Sequence, residues 1–333
     1  MDSLTQIVLG AAIGEAVLGK KVGNKAMLYG AIAGTIPDLD SFAPLFTDTL
    51  TAIEIHRGFS HSILFSILFA PIFGWLISKI EKKADVHWKD WSWLMFWGLI
   101  THPLLDAHTT WGTQLFWPLD LRLAYKNIFV IDPLYTLPFL IFLILAFRAK
   151  KGSLQRRKYN NLGLIISSIY MICTIGLKAI TYFKFESALE EQDISYNQIQ
   201  TRPSPFNTIM WSANVEVEDA YLLADYSILD TKPIEFKRIP KNHDLVNDYR
   251  DEKDLNRIIA ISQGWYTIAK RDEILYFNDL RFGAYNINAA DPKFVFSYKL
   301  KGKSGELKVE EVPRDPENAK KVFSNLATRV FGN

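Results

Sequence analysis

Along the first 183 residues, long apolar runs alternate with short polar stretches; beyond that point the rhythm changes to strict alternation. Four runs, 62–80, 91–108, 128–147 and 161–183, predict spanning helices, because about 20 mostly apolar residues cross a bilayer. Two shorter runs, 4–19 and 25–37, are rich in Gly and Ala. They read either as short spans packed closely on the others or as an interfacial or re-entrant pair. After residue 183, NVEVEDAYLLADYSIL and GWYTIAKRDEILYFNDLRFGAY alternate polar with aromatic or branched positions, a strand signature with KRDE as a turn. KFVFSYKL at 293–300 predicts a further strand, and 313–331 a helix. Residues 186–208, polar and containing PSP, read as a linker or first turn. The fold class expected is an α-helical multi-pass membrane bundle of about six helices over 1–183. A smaller soluble β-rich (α+β) domain follows over 184–333.

Charge sharpens this division. Of 36 acidic residues, 12 lie in 1–183, which leaves 24 in 184–333. The net charge of +2 points to no nucleic-acid partner, and a lone cysteine, Cys173, excludes a disulfide framework or a multi-cysteine metal site. Lys and Arg gather in alternate connections: Lys20, Lys21 and Lys25; Lys79, Lys82, Lys83 and Lys89; Arg148, Lys150, Lys151, Arg156, Arg157 and Lys158. By the positive-inside rule these connections face the cytoplasm. Six crossings then place both termini, and the carboxyl-terminal domain, outside it. The amino terminus lacks a positive leader and carries Glu15 in its apolar stretch, so it is not expected to be a cleaved signal.

The polar residues of the helical half collect at one end of the expected bundle. Asp38 and Asp40 stand in GTIPDLDSF, His56, Arg57 and His61 in HRGFSHS, and His102 and Asp106 in THPLLDAHTTWG. His102 and Asp106 are four apart and share a helix face, while Gly58 permits a turn that aims His56 and His61 inward. Imidazole and carboxylate donors suit zinc, and also iron or manganese. Six candidate ligands, Asp38, Asp40, His56, His61, His102 and Asp106, exceed one tetrahedral ion. The expectation is therefore one or two divalent ions, or a division between ligands and groups that orient them. Ionisable groups near lipid are costly and commonly mark a site. Arg57 reads either as a phosphate clamp or as a partner of Asp38 or Asp40. Glu15 reads as a hydrogen-bonded structural group or as a support for the ligands. His87 and His243 read as surface residues.

With these residues in view, MDSLTQIVLGAAIGEAVLG, IPDLD, HRGFSHS, HPLLDAHTTWGTQLFWP and IDPLY, in that order, resemble the YdjM-type family of membrane-bound metal-dependent hydrolases over most of 1–140. NDLRFGAY is similar to the carboxyl-terminal domain of its longer members. The resemblance implies a multi-pass cytoplasmic-membrane protein with metal-dependent hydrolase activity. His-x-x-x-Asp is also similar to the zinc-dependent phospholipase C and single-strand nuclease group, which implies phosphoester chemistry. One departure stands out. Relatives carry His in the Thr-His pair near the start where this chain has Thr5-Gln6, and Gln6 is a poor ligand.

The function expected is hydrolysis of a lipid or amphiphilic phosphoester at the outer face of the membrane, with the bilayer as partner. Asp40 is the candidate base and Arg57 the group that stabilises developing charge. The alternative is a non-enzymatic membrane protein, a transporter or a metal-binding scaffold. A transporter places ionisable groups near mid-bilayer, where this chain offers only Glu15 and Lys178.

Overall fold

The computed structural model describes residues 1–82, 85–285, 287, 289, 292–302, 305–314, 326 and 328–332. A helical amino-terminal region precedes a β-rich domain. Two units result: one comprises Met1–Leu45, Ile55–Gly176 and Pro205–Asn207, the other Phe46–Glu54, Leu177–Ser204 and Thr208–Asn333.

The first unit holds α1 (Ser3–Val22), α2 (Asn24–Thr35), a 3-10 helix (Ile36–Leu45), α4 (Ile63–Ile80), α5 (Trp88–Asp106), α6 (Pro133–Arg148) and most of α7 (Leu154–Glu191). The short α3 (Thr49–Ile55) lies almost wholly in the second unit. Each start has a local cause. Asp2 caps α1 by accepting from Thr5 N, and Ser62 caps α4 by accepting from Phe65 N. Asp132 caps α6, with Pro133 at its first position.

Small residues then decide how closely the helices approach. A Cβ on Gly14 would stand 2.1 Å from the Ala26 carbonyl oxygen, and one on Gly30 2.2 Å from that of Gly10. The α1–α2 hairpin therefore packs backbone on backbone, as the Gly and Ala content of 4–37 suggested. Ala26 and Ala33 of α2, Phe65 of α4 and Trp91, Leu94 and Leu99 of α5 fill the core between these helices. At the far end, a bidentate ion pair from Arg156 to Glu15 (2.6 and 2.5 Å) ties α7 to α1, and Arg156 also reaches Asn24 Oδ1 at 2.6 Å. Glu15 thus serves structure, one of its two readings.

Among the described residues, two helices, α4 and α7, are long and apolar enough to cross a membrane, and α6 is apolar but shorter. Helix α7 extends further than the expected 161–183. No Pro or Gly breaks its polar flanks, so the helix propagates through them to Glu191.

The second unit carries two four-stranded antiparallel sheets in sequential order. One contains β1 (Gln198–Pro203), β2 (Met210–Glu216), β3 (Ala220–Ser227) and β4 (Lys237–Pro240). The other contains β5 (Tyr266–Arg271), β6 (Ile274–Ala284), β7 (Phe294–Lys301) and β8 (Lys308–Glu311), with α8 (Lys253–Ile261) before it. The strands read from 293–300 and on either side of KRDE are β7, β5 and β6. The stretch 186–208 is not a simple linker. Its start completes α7 and its end forms β1, whose Thr201 and Arg202 are covered against β2. Asp279 and Arg281 form a buried ion pair of 2.6 Å at an irregularity in β6. Most of the tail expected as a helix over 313–331 lies outside the described residues.

Candidate metal centre

Three separate stretches bring four donors together. Asp38 comes from the 3-10 helix, His61 from the turn before α4, and His102 and Asp106 from the last turns of α5. Their ligand atoms all lie within 4.8 Å of one another. His61, His102 and Asp106 are fully buried, whereas the Asp38 side chain keeps 22% of its surface exposed.

Hydrogen bonds fix the two imidazoles. His102 Nδ1 donates to the Gly34 carbonyl oxygen at 2.6 Å. That carbonyl reaches it because α2 packs so closely, with Gly98 of α5 set against Ala33. His61 Nδ1 faces Asp40 Oδ2 at 3.1 Å. Both partners are acceptors, so each Nδ1 carries a hydrogen and each Nε2 is turned into the group, where it holds either a proton or a lone pair open to a cation. The two Nε2 atoms stand 3.1 Å apart. Two lone pairs at that distance repel unless a proton or a cation lies between them.

The carboxylates complete the set. Asp38 Oδ1 lies 3.5 Å from His61 Nε2 and 3.3 Å from His102 Nε2, and Asp106 Oδ2 lies 3.5 and 3.6 Å from the same atoms. A four-coordinate ion with bonds of about 2.0–2.1 Å spaces its donors roughly 3.3–3.4 Å apart, so these separations suit a small cation. Asp106 Oδ2 is buried and makes no hydrogen bond of good geometry; the positive charge beside it is the Arg57 guanidinium, whose Nε lies 3.0 Å away.

The remaining residues of the sequence set surround this group. Asp40 stands beside it and accepts from four donors: His56 Nδ1 (2.8 Å), Arg57 N (2.9 Å), Ser60 Oγ (2.8 Å) and His61 Nδ1 (3.1 Å). It orients His61, the arrangement by which outer carboxylates fix metal-binding histidines. His56 is half-buried, held by Asp40, and outside the four-donor group. Arg57 sits against neither Asp38 nor Asp40 through its side chain. Its Nε lies 3.0 Å from Asp106 Oδ2 and its Nη1 donates to Thr109 Oγ1 at 2.8 Å. The left-handed residue of this turn is Arg57 (φ 59°), not Gly58; Asp40 secures it by accepting its N–H.

The charges follow from these contacts. Burial acts to raise the Asp38 carboxyl, but hydrogen bonds from His102 and His61 outweigh it and hold the group well below the usual carboxylate range. Asp40 is held down in the same way, against burial, by His56 and His61. Burial acts to lower His61, yet Asp106, Asp38 and Asp40 together push it up to about 9.

Gln6 also reaches the site. Its Nε2 donates to Asp106 Oδ1 at 3.0 Å and to the His102 carbonyl oxygen at 3.3 Å, and the Met1 amino group donates to the same Asp106 oxygen. Gln6 therefore braces a candidate ligand. The Gly34 carbonyl, Ser60 and Thr109 were not singled out from the sequence; their types are too common to carry a signal, and only the packing gives them a role.

A helical region with a buried His/Asp group that suits a cation, joined to a β-rich domain, defines the class of protein. Comparison with known families makes it particular: residues 1–181 match the YdjM inner membrane protein family, and the chain belongs to that family. It is an inner-membrane protein. It is also 27% identical over 114 residues to the inner membrane protein YbcI of Escherichia coli (strain K12), a match covering 34% of this chain. The chain spans 64% of the length of that relative. No solved structure matches it.

Proposed function

We propose that the chain is a multi-pass inner-membrane hydrolase. Its Asp38, His61, His102 and Asp106 hold a divalent ion, with zinc favoured, and its substrate is a lipid or amphiphilic phosphoester at the outer face. The observation that carries the reading is the pair of Nε2 atoms 3.1 Å apart, both committed by their Nδ1 partners to face one another between two carboxylates. When bound, such an ion supplies Lewis-acid polarisation and water activation. Asp40 has its oxygens occupied by four donors, which fits orientation of His61 better than proton transfer. Arg57 balances Asp106 and adds positive charge where a phosphoryl group would gain negative charge. Asp38, the donor with surface to spare, lies on the side from which substrate enters. The Lys and Arg bias of alternate connections supports the outer location of the site and of the carboxyl-terminal domain.

One observation favours a second reading, a non-enzymatic metal-binding scaffold. Four protein donors close a tetrahedron, as in structural zinc sites. One assay separates the two. Purified protein loaded with zinc or manganese is offered phospholipids and polyprenyl phosphates, and released phosphate or head group is measured. Turnover that disappears with His102→Ala supports the hydrolase. A metal-loaded wild type inert towards all of them overturns the lipid phosphoester reading and leaves the scaffold.

A further inference from the structure

The 3-10 helix Ile36–Leu45 presents two unlike sides. With three residues per turn, positions three apart stack in one row. One row, Pro37, Asp40 and Ala43, faces inward: Pro37 is buried and Asp40 orients His61. The next row is Leu39, Phe42 and Leu45, and all three point outward with 55, 56 and 73% of their surfaces exposed. The two charged residues of this segment are both turned away from that row, Asp38 into the four-donor group and Asp40 onto His61 beside it. The outer side of a helix that supplies a candidate ligand is thus large, apolar and uncharged.

That row continues an existing one. Helix α2 runs into the 3-10 helix through Ile36, which keeps helical backbone angles, and α2 exposes Leu28 and Ile32, four residues apart on one face. In an inner-membrane protein, exposed aliphatic side chains in register along a helix face lipid. Their continuation as Leu39, Phe42 and Leu45 extends this lipid-facing side past the level of His102, whose ring is held at Gly34.

We infer that the outer row of the 3-10 helix docks on the bilayer itself, at the boundary of head groups and acyl chains. Uncharged apolar faces of this kind settle at that boundary and bury their hydrophobic side a few ångströms below the head groups. Asp38 and Asp40, on the opposite side, are held at head-group depth. The inference requires only the inner-membrane location and stands whether or not the site is hydrolytic.

The test uses the full chain with Cys173→Ser, which removes its single cysteine. Nitroxide labels are placed through Phe42→Cys, Leu45→Cys and, as a contrast, Ser41→Cys, and each protein is set in vesicles of phosphatidylethanolamine and phosphatidylglycerol. Collision rates with oxygen, which partitions into lipid, and with a water-soluble nickel chelate are then compared. Labels at 42 and 45 are expected to favour oxygen several-fold more than the label at 41. Equal, high nickel accessibility at all three positions would overturn the inference. So would spin–spin broadening at 42 that fades on dilution with unlabelled chain, because a second copy would then cover the row. Metal content of each labelled protein, measured alongside, keeps this outcome separate from that of the metal site.

Discussion

Asp40→Asn separates an orienting carboxylate from a ligating one. In the wild type, Asp40 Oδ2 takes Arg57 N, Ser60 Oγ and His61 Nδ1, and Oδ1 takes His56 Nδ1. An asparagine oxygen at the Oδ2 position keeps the first three. Its amide then faces His56, which is half-buried and free to present the other tautomer. The fold and the direction of the His61 ring are retained, and the negative charge behind the imidazole is lost. Outer partners of metal-binding histidines typically contribute 10–100-fold in affinity, about 1.4–2.7 kcal/mol. Because only the charge is lost, about tenfold is expected. The assay is competition between detergent-purified protein and a chelator of known zinc affinity, with thermal unfolding as a check on folding. Asp106→Asn and His61→Ala remove a donor itself and should exceed the outer-partner range. If Asp40→Asn loses metal as completely as those two, Asp40 is a ligand and the four-donor centre is wrong. If it binds as the wild type does, Asp40 does not tune His61.

The remaining expectations concern packing, ion pairing and pH. Gly14→Val should destabilise the helical unit by about 1–3 kcal/mol through the clash with the Ala26 carbonyl. Gly176→Ala, with nothing within 4 Å of the added methyl group, should be neutral or slightly stabilising; thermal unfolding in detergent reads both. Glu15→Ala should cost about 3–5 kcal/mol by stranding the Arg156 guanidinium, and pairing it with Arg156→Met should recover most of that loss in the same assay. Zinc affinity should fall as pH falls. His61 keeps its proton up to about pH 9 in the ion-free protein, so binding displaces one proton and the affinity drops by about tenfold per pH unit below that point, read by chelator competition.

Much of this centre is legible in the chain because apolar runs fix where helices end, and polar residues placed there have few reasons to be present. The i,i+4 spacing of His102 and Asp106 survives as a shared face, and HRGFSHS does deliver His61. What spacing cannot specify is which of two carboxylates, Asp38 or Asp40, joins the four-donor group. That depends on the segment winding as a 3-10 helix, where residues two apart diverge by most of a turn. Nor can it specify that His56 turns its Nδ1 to Asp40, or that Gln6 supports Asp106. Those outcomes follow from tertiary packing, which sets Gln6 of α1 against Asp106 of α5 and His56 against Asp40 of the 3-10 helix. In the β-rich domain the alternating segments were plain. β1 was hidden because its sequence QIQTRP is polar, and its pairing with β2, not its own pattern, makes it a strand.

The most direct measurement is X-ray absorption at the metal edge, with elemental analysis, on the detergent-purified full chain and on His61→Ala and Asp106→Ala. The expected result is about one ion per wild-type chain, with two imidazole nitrogens and carboxylate oxygens as neighbours, and loss of the ion in both variants. A folded, metal-supplied wild type that holds no ion, or holds one without imidazole neighbours, would contradict the proposed centre.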